Sequence, residues 1–185
     1  DSGGVSLVSV ANSALFNRAN SEYLSRTYGT PTDQDVFTLS MWLLPQNFEG
    51  FGGITGGAAA NTDIIYISPA EVIVYSLGGS GTATVPVRRD IGWGHFVWQL
   101  NGTTVKTYWN NVLFSTTTKT VSDYNSAVTH TLGSYNGNAN HYNGYMAETV
   151  FIDGLALEPT SFGEFDTTGL YWTPKSSDDI KALTF

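Results

Sequence analysis

Apolar and polar side chains alternate with a period of two along much of this chain, and the longer period of an amphipathic helix is hard to find in it. Between Phe37 and Leu44, the residues Phe37, Leu39, Met41 and Leu43 fall on one side and Thr38, Ser40, Trp42 and Leu44 on the other. That is the pattern of a β-strand with one clearly apolar face. Glu71–Leu77 is nearly continuous in apolar character, which predicts a strand covered on both faces, and Ile64–Ile67 predicts a short partner for it. Tyr145–Asp153 predicts a further strand that stops at Gly154.

The segment His95–Trp109 reads as a hairpin with Asn101-Gly102 as the two central residues of a type I′ turn. Counting from that turn puts Leu100 opposite Thr103, Trp98 opposite Val105 and Phe96 opposite Thr107 on a core face. Gln99, Thr104, Val97, Lys106, His95 and Tyr108 then share the other, mostly polar face. Asn110-Asn111 supplies a second two-residue turn, bringing Val112 opposite Trp109 and Phe114 opposite Thr107, so the apolar face continues across a three-stranded meander. The stretch 159–166 opens with Pro159 and Thr160-Ser161 and predicts one or two helical turns, the only short helix expected. Many strands, Gly/Asn/Pro turns and no strand-helix-strand alternation predict an all-β fold, a two-sheet antiparallel sandwich or barrel, with residues 1–185 as a single domain.

Composition sharpens this picture. Charged residues are 13% of the chain, so uncharged Asn, Thr, Ser and Gly must cover most of the surface. The formal net charge of -8, with eight lysines and arginines together, cannot neutralise a row of phosphates or hold an anionic lipid surface. Nucleic acid and membrane surfaces are therefore excluded as expected partners. With no cysteine, disulfides, thiolate catalysis and Cys-ligated zinc are excluded too. No apolar stretch approaches the ~20 residues that span a bilayer, and the opening Asp1-Ser2-Gly3-Gly4 is not a signal peptide.

Four blocks carry a resemblance: 16–26, beginning Phe16-Asn17-Arg18; Phe37–Trp42; Trp93-Gly94-His95; and Gly144–Gly154. Their order and spacing, over roughly residues 14–175, resemble the laminin-G-like branch of the concanavalin A-like lectin/glucanase superfamily. The resemblance implies a jelly-roll of two curved antiparallel sheets whose rim loops often bind glycans, sometimes beside a calcium ion. The closing blocks Phe151–Gly154, Ser161–Phe165 and Tyr171–Lys175 are similar to domains in structural proteins of tailed bacteriophages. Such domains continue into another strand where this chain reaches Ala182–Phe185, so the chain reads as a fragment of a longer one.

Chemistry is sparse. The glucanase relatives set two carboxylates about 5 to 5.5 Å apart for retaining hydrolysis, using a Glu-x-Asp-x-Glu strand or a bulged version of it. The corresponding strand here carries Glu148, but Val150 and Ile152 follow it, and Asp153 points to the opposite face unless the strand bulges. His95, His130 and His141 form no catalytic or metal-binding motif, and His95 reads as a polar-face strand residue. The stretch 133–145 mixes aromatic rings with amides, as sugar recognition requires: a ring covers the apolar face of a pyranose while amides bond its hydroxyls. Tyr135, Asn136, Asn138, Asn140, His141 and Tyr142 are the candidate glycan contacts, against the alternative of a long turn built on Gly and Asn for backbone reasons. Gly50–Ala60 reads as a flexible rim loop, not a phosphate cradle, because no Gly-Lys-Ser/Thr ending follows. Asp33 and Asp35 are the candidate calcium ligands, a weak set of two acids. Asn101-Gly102-Thr103 is a formal glycosylation sequon that its turn role explains. The expected function is a non-catalytic module at a virion surface or outside the cell, on a tail fibre or capsid, contacting glycan or other virion proteins, with a homo-oligomer among the expected assemblies. A polysaccharide-degrading enzyme and an architectural domain without ligand are the alternatives.

Overall fold

The computed structural model describes residues 8, 10–47, 50–57, 63–77, 80–87, 92–119, 124–137 and 139–183. Its strands are β1 (Ala14–Phe16), β2 (Leu24–Thr27), β3 (Val36–Pro45), β4 (Gly52–Gly57), β5 (Ile64–Ile67), β6 (Val72–Leu77) and β7 (Ser80–Pro86). They continue with β8 (Gly94–Asn101), β9 (Thr104–Trp109), β10 (Val112–Thr118), β11 (Thr129–Leu132), β12 (Gly144–Asp153), β13 (Gly163–Phe165) and β14 (Trp172–Pro174). One six-stranded sheet runs β1-β12-β3-β8-β9-β10 and a second runs β2-β11-β4-β5-β6-β7, every pairing antiparallel. The expected all-β, two-sheet antiparallel sandwich is the fold observed.

Strand alternation builds the core. Phe37, Leu39, Met41 and Leu43 of β3 and Phe96, Trp98 and Leu100 of β8 face Ile54, Ile65, Ile67, Ile73 and Tyr75 of the second sheet, all buried in one cluster. Each such side chain contributes roughly 2 kcal/mol on leaving water. The expected strand 71–77 and its partner 64–67 pair as β6 and β5.

The first hairpin departs from its expected register. Asn101 pairs with Thr104, Leu100 with Val105 and Trp98 with Thr107, so Gly102-Thr103 is the turn. Gly102 takes φ 60° at the first central position, the demand of a type II′ turn, and its amide bonds the Asp35 carbonyl at 2.9 Å. Each pairing moves by two residues, so every side chain keeps its assigned face. The second turn is as expected, with Asn110 and Asn111 both left-handed and Val112 opposite Trp109. A bulge between Leu113 and Ser115 then puts Ser115, not Phe114, opposite Thr107. Val112, Leu113 and Phe114 are consequently exposed along the edge, and the apolar face does not extend across β10.

A second departure is that the polar side of the first sheet is buried. Residues 155–183 fold across it: Phe162 and Ile180 pack on Val97, Tyr108 and Ile152, while Trp172 packs on Trp42 and Ala147. Thr38, Ser40, His95 and Gln99 are all buried there, serving as hydrogen-bonding anchors where the alternation suggested a wetted face. The Thr38 hydroxyl, for example, donates to the Leu155 carbonyl and accepts from the Leu157 amide, both at 2.8 Å. Within 159–166, one 3-10 turn spans Pro159–Ser161 before the chain enters β13. The α-helix among the described residues is α1, Ser177–Lys181, and no described helix is long and apolar enough to cross a membrane.

The Gly-rich stretch is a third correction. Gly52–Gly57 is a fully buried strand inside the second sheet, not a flexible rim loop.

Candidate functional site

Glycines in β4 exist for the loop that lies on them. The chain between β11 and β12 folds back over the outer face of the second sheet, backbone on backbone. A Cβ at Gly53 would fall 2.5 Å from the Tyr135 amide nitrogen, and one at Gly56 would fall 2.2 Å from the Tyr135 carbonyl oxygen. Only glycine permits that approach. The Gly53 amide donates to the Asn140 carbonyl at 2.5 Å, Gly133 donates to the Ile54 carbonyl at 2.7 Å, and Tyr142 donates to the Gly133 carbonyl at 2.8 Å. Inside the loop the Ser134 hydroxyl accepts from the Gly137 amide at 2.6 Å, and Asn140 takes a left-handed φ of 53°.

Arg18 staples this loop to its neighbour. Its Nε donates to the His141 carbonyl at 2.8 Å and its guanidinium also reaches the Phe51 carbonyl at 3.3 Å. The result is an aromatic row on one surface. Tyr66, on the outer face of β5, stands edge-on to Phe51 at 5.6 Å and edge-on to Tyr135 at 5.6 Å. Phe51 is 48% exposed, and Tyr66 and Tyr135 are half-buried. Burial, with a smaller contribution from Tyr66, pushes the Tyr135 phenol up to about 12, so its hydroxyl remains a hydrogen-bond donor at neutral pH. On the other flank, Tyr23 is 42% exposed and its ring lies 6.1 Å from the ring of His141.

The sequence-derived contact set is split by this geometry. Tyr135, Asn136 and Asn140 lie half-buried in the loop, and Asn138 falls outside the described residues. His141 is buried beneath Tyr23. Tyr142 is a correction: it alternates to the opposite side, is 1% exposed and belongs to the core beside Phe16. Tyr23, Phe51 and Tyr66 were missed, because nothing in their own neighbourhoods shows that three distant segments meet. The exception is the Phe51-Gly52-Gly53 step, where an aromatic precedes glycines that a packed strand would otherwise avoid.

The other chemical candidates have structural occupations. β12 does bulge, between Ala147 and Val150, with Glu148 at φ 44°, and Asp153 consequently lies opposite Phe37 on the inner face. There the Asp153 carboxylate accepts from Asn125 Nδ2 and from the Thr32 amide, both at 2.6 Å. Burial pushes its carboxyl up, but bonds from Asn125 and Thr32 outweigh this and hold it below its ordinary value. Glu148 lines a neighbouring recess with Asn12 and Ser13. Asp33 and Asp35 both have partners within the protein: Asp33 accepts from the Asp35 amide at 3.0 Å, and Asp35 pairs with Lys119 at 3.5 Å. No group of three or more His, Asp and Glu side chains suited to a metal occurs among the described residues. Ser40 and His95 do form a hydroxyl-imidazole pair at 2.8 Å, yet both are buried beneath residues 155–183, out of reach of a substrate.

No protein-family model matches this sequence, and no curated protein does. Solved structures resemble the fold. A heptameric SAP-like pentraxin from Limulus polyphemus superposes with a TM-score of 0.57 at 16% identity, over 73% of this chain and 70% of that one. A putative carbohydrate binding protein from Bacteroides ovatus gives 0.58 at 14% identity, over 90% of this chain and 60% of that one. This chain thus spans less than two thirds of the Bacteroides protein. The CBM40 of the Ruminococcus gnavus IT-sialidase, bound to α2,3-sialyllactose, gives 0.51 at 13% identity over 94% of this chain and 98% of the module. At such identities the likeness shows the fold alone, an all-β jelly-roll sandwich.

Proposed function

We propose that this chain is a non-catalytic carbohydrate-binding module that takes glycan on the outer face of the second sheet. The observation that carries this is the Phe51–Tyr66–Tyr135 row beside an Asn-rich loop. Rings cover the apolar face of a pyranose, while Asn136, Asn138 and Asn140 supply amides that donate and accept. Tyr23 extends the surface past His141. Relatives in fold support the reading, since one is a CBM40 bound to sialyllactose and another a putative carbohydrate binding protein.

Catalysis is not part of the proposal. Retaining hydrolysis needs one carboxyl kept protonated beside a second, and Asp153 is instead stabilised as a carboxylate by its donors. The site belongs, on this reading, to a virion or extracellular surface, where weak contacts are multiplied by repeated copies. The similarity of 151–154, 161–165 and 171–175 to bacteriophage structural proteins supports that location.

A glycan array probed with the intact chain and with Phe51→Ala, Tyr66→Ala and Tyr135→Ala tests it. Each exchange is expected to lose about 1 kcal/mol of binding, roughly a fivefold drop, at unchanged thermal stability within a few degrees. Binding that survives all three, or no binding to any glycan, sinks the proposal.

A further inference from the structure

Among the described residues the sandwich is open along one side. There β1 pairs only with Gly144–Met146 of β12, which leaves Ala147–Asp153 without a neighbour on that edge among the described residues. Across from it, β2 is the outermost strand of the second sheet. Between them lies a cavity of about 620 Å³, distinct from the aromatic row and a size that suits a small ligand.

Register fixes its walls. Arg26 lies opposite His130 and Leu24 opposite Leu132, and directly opposed residues in an antiparallel pair share a face. That face turns to the groove, as does the Thr149, Phe151 and Asp153 side of β12. The groove reaches inward as far as Leu39 and Tyr124, both buried in the core. Leu24 and Leu132 on one wall and Phe151 on the other make its body apolar.

Its charges are unequal in availability. Asp153 is held by Asn125 and the Thr32 amide. Burial holds His130 below its ordinary value against the raising effect of the Tyr124 and Val128 carbonyls on its two ring nitrogens, and its ring is stacked on Tyr28 at 3.8 Å. The Arg26 side chain is exposed at the groove's rim, where its charge faces the Tyr28 phenol, and among the described residues no carboxylate is paired with it. Its guanidinium offers the planar fork that matches a carboxylate in two parallel bonds. In a chain of formal charge -8, diffuse attraction for anions is absent, so an anion that binds must do so through a local contact.

We propose that this groove is a second binding site, for a small amphipathic carboxylate whose apolar body lies between Leu24, Leu132 and Phe151 and whose acid pairs with Arg26. Titration of the full chain with phenylpropionate, its neutral analogue phenylpropanol and glucuronate, followed by NMR shifts, tests it. Phenylpropionate is expected to shift the amides of Leu24, His130 and Phe151 saturably, and to bind at least about tenfold more tightly than the alcohol. Arg26→Gln is expected to abolish that preference, and Arg26→Lys to restore part of it, while the alcohol binds all three proteins alike. Phe51→Ala and Tyr135→Ala, on the far face, are expected to change nothing, so failure of the carbohydrate proposal leaves this one standing. Equal affinity for acid and alcohol, absence of a saturable shift, or preferential binding of glucuronate to the same residues overturns the proposal.

Discussion

His95 shows how one buried side chain ties distant parts of the chain together. The Trp172 indole N–H, which can only donate, points at its Nδ1 at 3.0 Å. The remaining proton is therefore on Nε2, which donates to the Ser40 hydroxyl at 2.8 Å, while the ring lies stacked on Trp42 at 4.9 Å. Burial pushes its pKa down from 6.5 to about 3. Above pH 6.5 the folded and unfolded chains both keep it neutral; below it, the unfolded chain binds a proton that the folded chain refuses. Stability is thus fully present above pH 6.5 and falls by up to about 1.4 kcal/mol per pH unit as pH drops towards 3. His130, also lowered by burial, acts in the same direction. Urea unfolding between pH 8 and 4.5 checks this, and His95→Gln is expected to flatten the slope by about one proton. From the sequence, the face of His95 was legible and its burial was not. Its cover comes from Trp172, far along the chain, and a polar residue on alternate positions looks the same whether water or an indole satisfies it.

At the scale of an element, β4 is where local propensity misleads most. Glycine weakens a strand and exposes backbone, so Gly52–Gly57 reads as loop until the segment that covers it is known. Turns were more legible: Asn110-Asn111 carries its left-handed geometry in its own residue types. The bulge at Leu113/Ser115 has no such local mark. Neighbouring glycines separate close approach from mere strand membership. Gly56→Ala drives a methyl into the Tyr135 carbonyl and is expected to cost roughly 1–3 kcal/mol and to release the 133–143 loop from the sheet. Gly57→Ala meets the His130 ring at an ordinary 3.5 Å and is expected to cost less than about 1 kcal/mol. Amide exchange at Gly53 and Gly133, whose bonds pin the loop, distinguishes the two variants.

Across the whole molecule, the sandwich was readable from alternation because a period of two needs only nearest neighbours. The third layer was not, because residues 155–183 have no long periodic element of their own and acquire their role only when β3, β8 and β12 present a surface to them. A chain ending at residue 154 would bare Val97, Tyr108, Ile152, Trp42 and Ala147 together. It is expected to bind a hydrophobic dye strongly and to melt well below the intact protein. Early and late segments converge on this same layer: Val8 and Val10 pack with Trp172, and Ile180 and Leu183 pack with Phe162. The Phe51–Tyr66–Tyr135 row is on the reverse of the molecule. A load applied at Val8 or Leu183 therefore pulls on the back of the domain, leaving its front free to meet whatever it approaches.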